Sequence, residues 1–207
     1  MKGDRHIFMV HKIAVRISES LINNGMSNRD NVEYYIYGIE VFIEKITFYL
    51  IVLSLALYFR LFIPSILFLV FFIALRGRTG GYHAKRYISC LLGSTLLFLS
   101  CCKVFAPFLL NNTLIMYLLC AIASVIILIF APVNHPNVNM DSEELNSYRI
   151  RARVVLGLEL LYIVTLSILR IKSVYIIFPS MGIIMCAVLL MIAKIIKQEV
   201  SYERRFD

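Results

Sequence analysis

The sequence predicts an all-α, polytopic integral membrane protein. It is expected to have about six transmembrane helices, an N-terminal amphipathic helix and both termini in the cytoplasm. Three observations carry this. Hydrophobic residues make up 60% of the 207 positions and charged residues only 16%, against roughly 45–50% and about 25% in soluble domains. The apolar residues gather into runs approaching the ~20 residues a bilayer-crossing helix needs. The basic residues alternate between rich and poor connections along the chain. The length suggests one membrane-embedded domain spanning 1–207, with residues 1–30 as an interfacial amphipathic segment.

The first element is that segment. Val10, Ile13, Ala14, Ile17 and Leu21 recur at helical spacing, with Lys12, Arg16 and Glu19 elsewhere around the turn. This reads as a helix on the inner membrane face or packed on protein. Asn23, Asn24 and Gly25 end it, and Ser27 is placed to cap a second helix running into the first span. No cleavable signal peptide is visible in residues 1–40, which carry charges throughout. The spans are expected at about 41–59, 61–75, 88–110, 113–131, 154–171 and 174–193. Only Arg60 separates the first two, so a tight hairpin aided by Pro64 is expected there.

Charge placement sets the orientation. Lys2, Arg5, Lys12, Arg16 and Arg29 precede the first span, and Arg76, Arg78, Lys85 and Arg86 follow the second. Arg149, Arg151 and Arg153 precede the fifth; Lys194, Lys197, Arg204 and Arg205 follow the sixth. The intervening turns hold Arg60 alone, no basic residue at Asn111–Asn112, and Arg170 with Lys172. By the positive-inside rule the termini and the 76–90 segment are cytoplasmic. The formal charge of +8 thus belongs to topology and anionic lipid, and no nucleic-acid partner is expected.

Chemistry-bearing residues are few. Cys101, Cys102, Cys120 and Cys186 lie in apolar runs and read as packing residues. No CxxC and no Cys/His set has metal-ligand spacing, so no metal or other cofactor is expected. The exception is "RGRTGGYHAKRYISC", Arg76–Cys90, where a His, a Gly pair and a Cys meet at the mouth of the third span. A nucleophilic thiolate needs an imidazole as partner, and cationic neighbours favour the thiolate; His83 and Cys90 are the candidates. Along a straight helix seven residues would separate them by ~10.5 Å of rise, so a bend at Gly80–Gly81 is expected to fold the chain back. The bland alternative is a solvated loop His and a packed Cys.

The whole string resembles the signature of the accessory gene regulator protein B family, membrane-embedded cysteine endopeptidases of quorum sensing. Arg76, Gly80, Gly81, His83, Ala84 and Cys90 match its pattern. "YGIEVFIEKI" (Tyr37–Ile46) resembles its Gly-x-Glu segment through Gly38 and Glu40, and "APVNHPN" (Ala131–Asn137) its Ala-Pro segment. Val138 departs from the basic residue that members often carry there.

The resemblance implies that His83 and Cys90 are catalytic, with Arg76, Gly80, Gly81 and Glu40 supporting the site or binding substrate. It implies an autoinducer precursor peptide as partner, a homodimer, and ring closure of the peptide through an acyl-enzyme thioester. Glu40 and Glu44 share a helix face that could orient His83 or hold a basic part of the substrate. Glu159 lies within the expected fifth span, where a carboxylate is a functional candidate by default or else a protonated packing residue; His135 reads as a solvated loop residue.

Two other classes are weighed. A non-enzymatic peptide binder or exporter would carry internal repeats and broken helices, and no clear repeat relates the two halves. A lipid-head-group enzyme would want carboxylate-rich metal motifs; only "MDSEE" (Met140–Glu144) comes near, and a solvated acidic loop explains it. Topology is checked with reporter fusions. A fluorescent protein fused after Asp207 should fluoresce, and alkaline phosphatase fused at Asn112 should be active; the opposite pattern at either point overturns the orientation.

Overall fold

The computed structural model describes residues 3–25, 32–81, 87–134 and 141–196, and among them no strand occurs. The helices are α1 (Gly3–Asn23), α2 (Val32–Tyr58), α3 (Phe62–Thr79), α4 (Tyr87–Ser100), α5 (Ala106–Asn111), α6 (Thr113–Phe130), α7 (Ser142–Ile168) and α8 (Val174–Ile195). A π-helical stretch, Cys101–Phe105, joins α4 to α5. The chain forms two compact units, Met1–Tyr58 with Ala84–Phe98 and Phe59–His83 with Leu99–Asp207.

In the first unit α1 packs on α2. Small residues allow the approach: Ala14 and Ser18 are buried, one turn apart on a single face. Ile13 and Ile17 stay 42% exposed on the neighbouring face. The helix thus meets protein along one stripe and keeps an apolar stripe uncovered. Asn23–Gly25 stop it as expected: Gly25 has φ +71°, its N–H bonds the Ile22 carbonyl at 2.9 Å, and the Asn24 amide donates to the Ser20 carbonyl at 2.7 Å. Ser27 lies outside the described residues.

In the second unit α8 is the core, packed against α3, α5, α6 and α7. The directions follow from contacts at the ends. The Val133 N–H, just past α6, bonds the carbonyl of Thr79, the last residue of α3, at 2.9 Å; α3 and α6 therefore end together. Tyr117 near the start of α6 meets Ser167 near the end of α7, their hydroxyl oxygens 2.8 Å apart, so α7 runs the other way. Gly182 of α8 faces Phe68 and Phe72 of α3, and Leu189 faces Gly81 just past its end, so α8 runs with α3. Three helices thus point one way and α7 opposes them, the alternation that the span order predicts for the second, fourth, fifth and sixth spans.

Among the described residues, five segments are long and apolar enough to cross a membrane: Tyr35–Tyr58, Phe62–Thr79, Ser89–Asn111, Thr113–Phe130 and Val174–Ile195. The expected fifth span, 154–171, falls within and just beyond α7, which carries Arg149, Arg151, Arg153 and Glu159 along its length and is not among the five.

Boundaries shift in instructive places. α3 extends past the expected end at 75 to Thr79, so Arg76–Thr79 is helix rather than loop. Pro64 breaks nothing: it is buried in the first turn of α3, where a missing N–H costs no hydrogen bond. Arg60 takes φ +56° in the short connection between α2 and α3. α7 begins well before 154, at Ser142. Its start is set by a capping box in which Asp141 accepts from the Glu144 N–H at 2.8 Å and Glu144 reaches back to the Asp141 N–H. The acidic residues of "MDSEE", expected as a solvated loop, thus stand at the cap and in the first turn of α7; Met140 lies outside the described residues.

A Cβ at Gly182 would lie 3.1 Å from the Phe72 nitrogen, 3.2 Å from the Phe68 carbonyl oxygen and 3.2 Å from the Phe71 Cβ. Backbone cannot yield as a side-chain tip can, so Gly182→Leu should destabilise the protein by about 1–3 kcal/mol. Thermal unfolding of the detergent-solubilised chain checks this, and an unchanged Tm would show that the two helices separate freely.

Candidate active site

The Arg76–Cys90 segment is built from a helix end, a glycine turn and a helix start. α3 ends because its next residue leaves helical space: Gly80 has φ +64° and Gly81 φ +132°, values that only glycine adopts readily. The Gly80 N–H still bonds the Arg76 carbonyl at 3.2 Å. The Arg76 side chain closes the turn from the other side, its Nη1 donating to the Gly80 carbonyl oxygen.

Packing makes both glycines obligatory as well as permissive. A Cβ at Gly80 would lie 2.8 Å from the Val133 carbonyl oxygen. A Cβ at Gly81 would run into the Arg76 guanidinium and stand 3.2 Å from the Leu189 carbonyl of α8. The turn is therefore held between two surfaces, α8 and the segment Ala131–Asn134, all four of whose residues are buried. The Ala131–Pro132 peptide bond in that segment is cis. The two motifs read separately in the sequence, the Gly pair and the Ala-Pro segment, are thus one contact.

Cys90 sits in the first turn of α4, half-buried and in no disulfide, whereas Cys101, Cys102, Cys120 and Cys186 are buried. The expected packing role of those four is met; Cys186, for example, donates its S–H to the Phe72 carbonyl at 3.4 Å. His83 lies outside the described residues, as do His135 and Val138. The chain leaves helical space at Gly80–Gly81 as expected; the expected return of His83 towards Cys90 falls outside the described residues.

Glu40 has a partner that the sequence reading missed. Its Oε1 is 2.7 Å from the His11 Nδ1 of α1, with the His side chain 54% and the Glu side chain 34% exposed. A signal was available: His11, Ala14 and Ser18 follow an i, i+3, i+7 stripe, the stripe by which α1 packs on α2. Glu40 thus ties the amphipathic helix to the first span.

Glu159 is 5% exposed, and neither carboxylate oxygen has a hydrogen-bond partner among the described residues. The Arg78 Nη1 donates to the Ala74 carbonyl at 2.6 Å, which turns the guanidinium back along α3.

A family model described as accessory gene regulator B matches residues 14–197. A search of curated proteins and a search of solved structures each returned no match.

The glycines divide cleanly by their surroundings. Gly77, inside α3, has nothing within 4 Å of a Cβ, so Gly77→Ala should leave stability unchanged or raise it by about 0.5–1 kcal/mol. Gly81→Ala should lower it by roughly 1–3 kcal/mol through backbone strain and the clash with Arg76. Melting temperatures of the two purified variants compare them directly; equal values would show that the turn is not held.

Proposed function

Because this chain belongs to the accessory gene regulator B family, we propose that it is a membrane-embedded cysteine endopeptidase that processes an autoinducer precursor peptide. In this reading α7 joins the five apolar helices as a sixth span, both termini are cytoplasmic, and the site opens on the cytoplasmic side. The observation that carries the reading is the standing of Cys90. It closes the family's Arg-Gly-Gly-His-Cys string, and it is the one thiol of five that is not buried. Its place in the first turn of a helix at a span's end suits a substrate lying on the membrane surface.

The chemistry follows from the two residue types. His83 takes the proton of the Cys90 thiol, and the sulfur attacks one backbone carbonyl of the peptide. The tetrahedral intermediate collapses as His83 gives the proton to the leaving amine, and the C-terminal fragment departs. The N-terminal part remains as a thioester on Cys90. A Cys or Ser side chain within that peptide then attacks the same carbonyl, its proton passing to His83. Cys90 leaves as thiolate and recovers the proton, and the product is a thiolactone or a lactone.

Ring closure competes with hydrolysis, so the thioester must be kept from water. A thiol at the lipid boundary meets that need. Holding the internal nucleophile beside the thioester makes the second step effectively unimolecular. Thioester-to-thiolactone exchange conserves the bond type, so loss of the cleaved fragment drives the sequence forward. Arg76, engaged with the Gly80 carbonyl, serves by fixing the turn that leads to His83. Glu40 serves by docking α1 rather than by touching the reacting atoms.

Cys90→Ala and His83→Ala should each abolish cleavage of an autoinducer precursor peptide that the wild-type chain cuts, with loss of at least ~10³-fold. Cys90→Ser should be strongly impaired, because a hydroxyl is a poorer nucleophile. Mass spectrometry of the wild-type chain mixed with precursor should find the acyl adduct on Cys90. Wild-type cleavage by either alanine variant, or an adduct on another cysteine, would refute the assignment.

A further inference from the structure

α7 stands out in the second unit because its polar residues are sorted by depth and by face. The register of its neighbours gives the depth, since α7 runs opposite to α3 and α6. The rings of Phe71 and Tyr162 meet at 5.0 Å between centroids. Thr79, the last residue of α3, lies eight positions beyond Phe71, which brings it level with Val154 of α7. The Tyr117 and Ser167 hydroxyl oxygens are 2.8 Å apart. Phe130, the last residue of α6, lies thirteen positions beyond Tyr117 and again comes level with Val154. Two separate contacts thus agree on where α3 and α6 end beside α7. From Arg153 back to Ser142 the helix continues about 18 Å further, past the ends of both.

Arg149, Arg151 and Arg153 occupy the first turn of this projection, and all three are exposed. The helix offers them no carboxylate one turn away: positions 145–148 and 154–157 hold Leu, Asn, Ser, Tyr, Val, Val, Leu and Gly. Arg151 lies over the Tyr148 ring at 5.9 Å. Their placement around the helix decides what they meet. Residues two apart are turned by about 200° on an α-helix, so Arg149 and Arg153 flank one side of α7 and Arg151 the other. The outward face between the flanks is apolar: Ile150, Val154, Leu158, Leu161, Val164 and Ile168 are each more than half exposed. Glu159 lies on the opposite, buried face with Ala152, Leu156 and Ile163. A peptide or a nucleotide would be met by arginines gathered on one face. Arginines on both flanks of an apolar outward face, at one end of it, match the edge of a bilayer, where hydrocarbon gives way to phosphate on every open side.

We propose that Arg149, Arg151 and Arg153 form a collar that binds the phosphate groups of anionic phospholipids in the inner leaflet and fixes the depth of α7. A guanidinium suits a phosphate because its fork donates two parallel N–H bonds. α7 carries a carboxylate within its length, which weakens it as a span, and the collar supplies the anchor that its composition does not. The collar also sets how far Ser142–Tyr148 stand off the membrane, at the end of the unit where the Gly80–Gly81 turn lies. The proposal rests on α7 as a sixth span and is independent of the peptidase chemistry.

The chain has no tryptophan, so Val154→Trp puts a lone fluorophore on the outward face beside the collar. The full-length variant is reconstituted in phosphatidylcholine vesicles with a minor share of brominated lipid, whose acyl-chain bromines quench a tryptophan they touch. Brominated phosphatidylglycerol should quench about threefold more effectively than brominated phosphatidylcholine at equal mole fraction, and ~1 M salt should erase most of the difference. Adding Arg149→Gln, Arg151→Gln and Arg153→Gln should abolish the preference, and lysine at the same three positions should keep most of it. Equal quenching by the two lipids before any collar substitution keeps the span and overturns the collar, whether or not the glutamine variant folds. A preference that survives the glutamine substitutions overturns it too. So does displacement of brominated phosphatidylglycerol by inorganic phosphate or by a soluble hexaglutamate peptide, which assigns the arginines to a free anion or to an acidic peptide. Quenching that appears only when the protein is diluted in the vesicles places a second copy on this face and overturns the collar. Quenching by neither lipid at any dilution defeats the sixth span and the collar together.

Discussion

With no side chain at Gly182, the backbones of α3 and α8 approach until a methyl group would be crowded against two main-chain atoms. Apolar side chains have no water to escape inside a bilayer, so close van der Waals contact has to supply the association that hydrophobic burial supplies elsewhere. Small residues make such contact available. The consequence runs along both helices: Cys186, one turn on, reaches the Phe72 carbonyl, and Leu189, a further turn on, presents its carbonyl to Gly81. The glycine turn is therefore seated on α8 by the same alignment that packs the helices. A wider spacing at Gly182 would lift the end of α3 away from its seat.

Much of this architecture was legible in the sequence because membranes restrict the choices. Apolar runs, turn residues and basic counts located the long helices among the described residues and the Arg60 and Asn111–Asn112 turns. The ends were less legible. α3 continues through Arg76 and Arg78 because long basic side chains can bend back along the helix, as the Arg78–Ala74 bond shows, so charge alone does not mark where a helix stops. α7 starts at its capping box, where the signal was the Asp141–Glu144 spacing rather than the onset of apolar residues. The π-helical stretch at Cys101–Phe105 had no signal at all in periodicity.

The site was legible as a string and illegible as an arrangement. Gly80–Gly81 announced a turn, and a turn is there. What the string could not convey was that Val133 and Leu189 press on those glycines, because both contacts come from distant segments. Arg76 illustrates the same limit. By type it suits an anion or an oxyanion, and in the structure its Nη1 donates to the carbonyl of its own turn. Glu40 was picked out by resemblance and Glu159 by the cost of burying a charge; only the fold supplied His11 as the partner of Glu40.

The bond from Val133 to Thr79 and the crowding of Gly80 against the Val133 carbonyl have a meaning for heredity. Two motifs about fifty residues apart in the chain share one interface, and each shapes the other's backbone. Neither can drift alone. A substitution that enlarges position 80 demands a compensating retreat around 133, and a chimaera that takes one motif from a divergent relative inherits a surface without its counterpart. Selection on the Arg76–Gly81 turn therefore reaches into the distant Ala131–Asn134 segment.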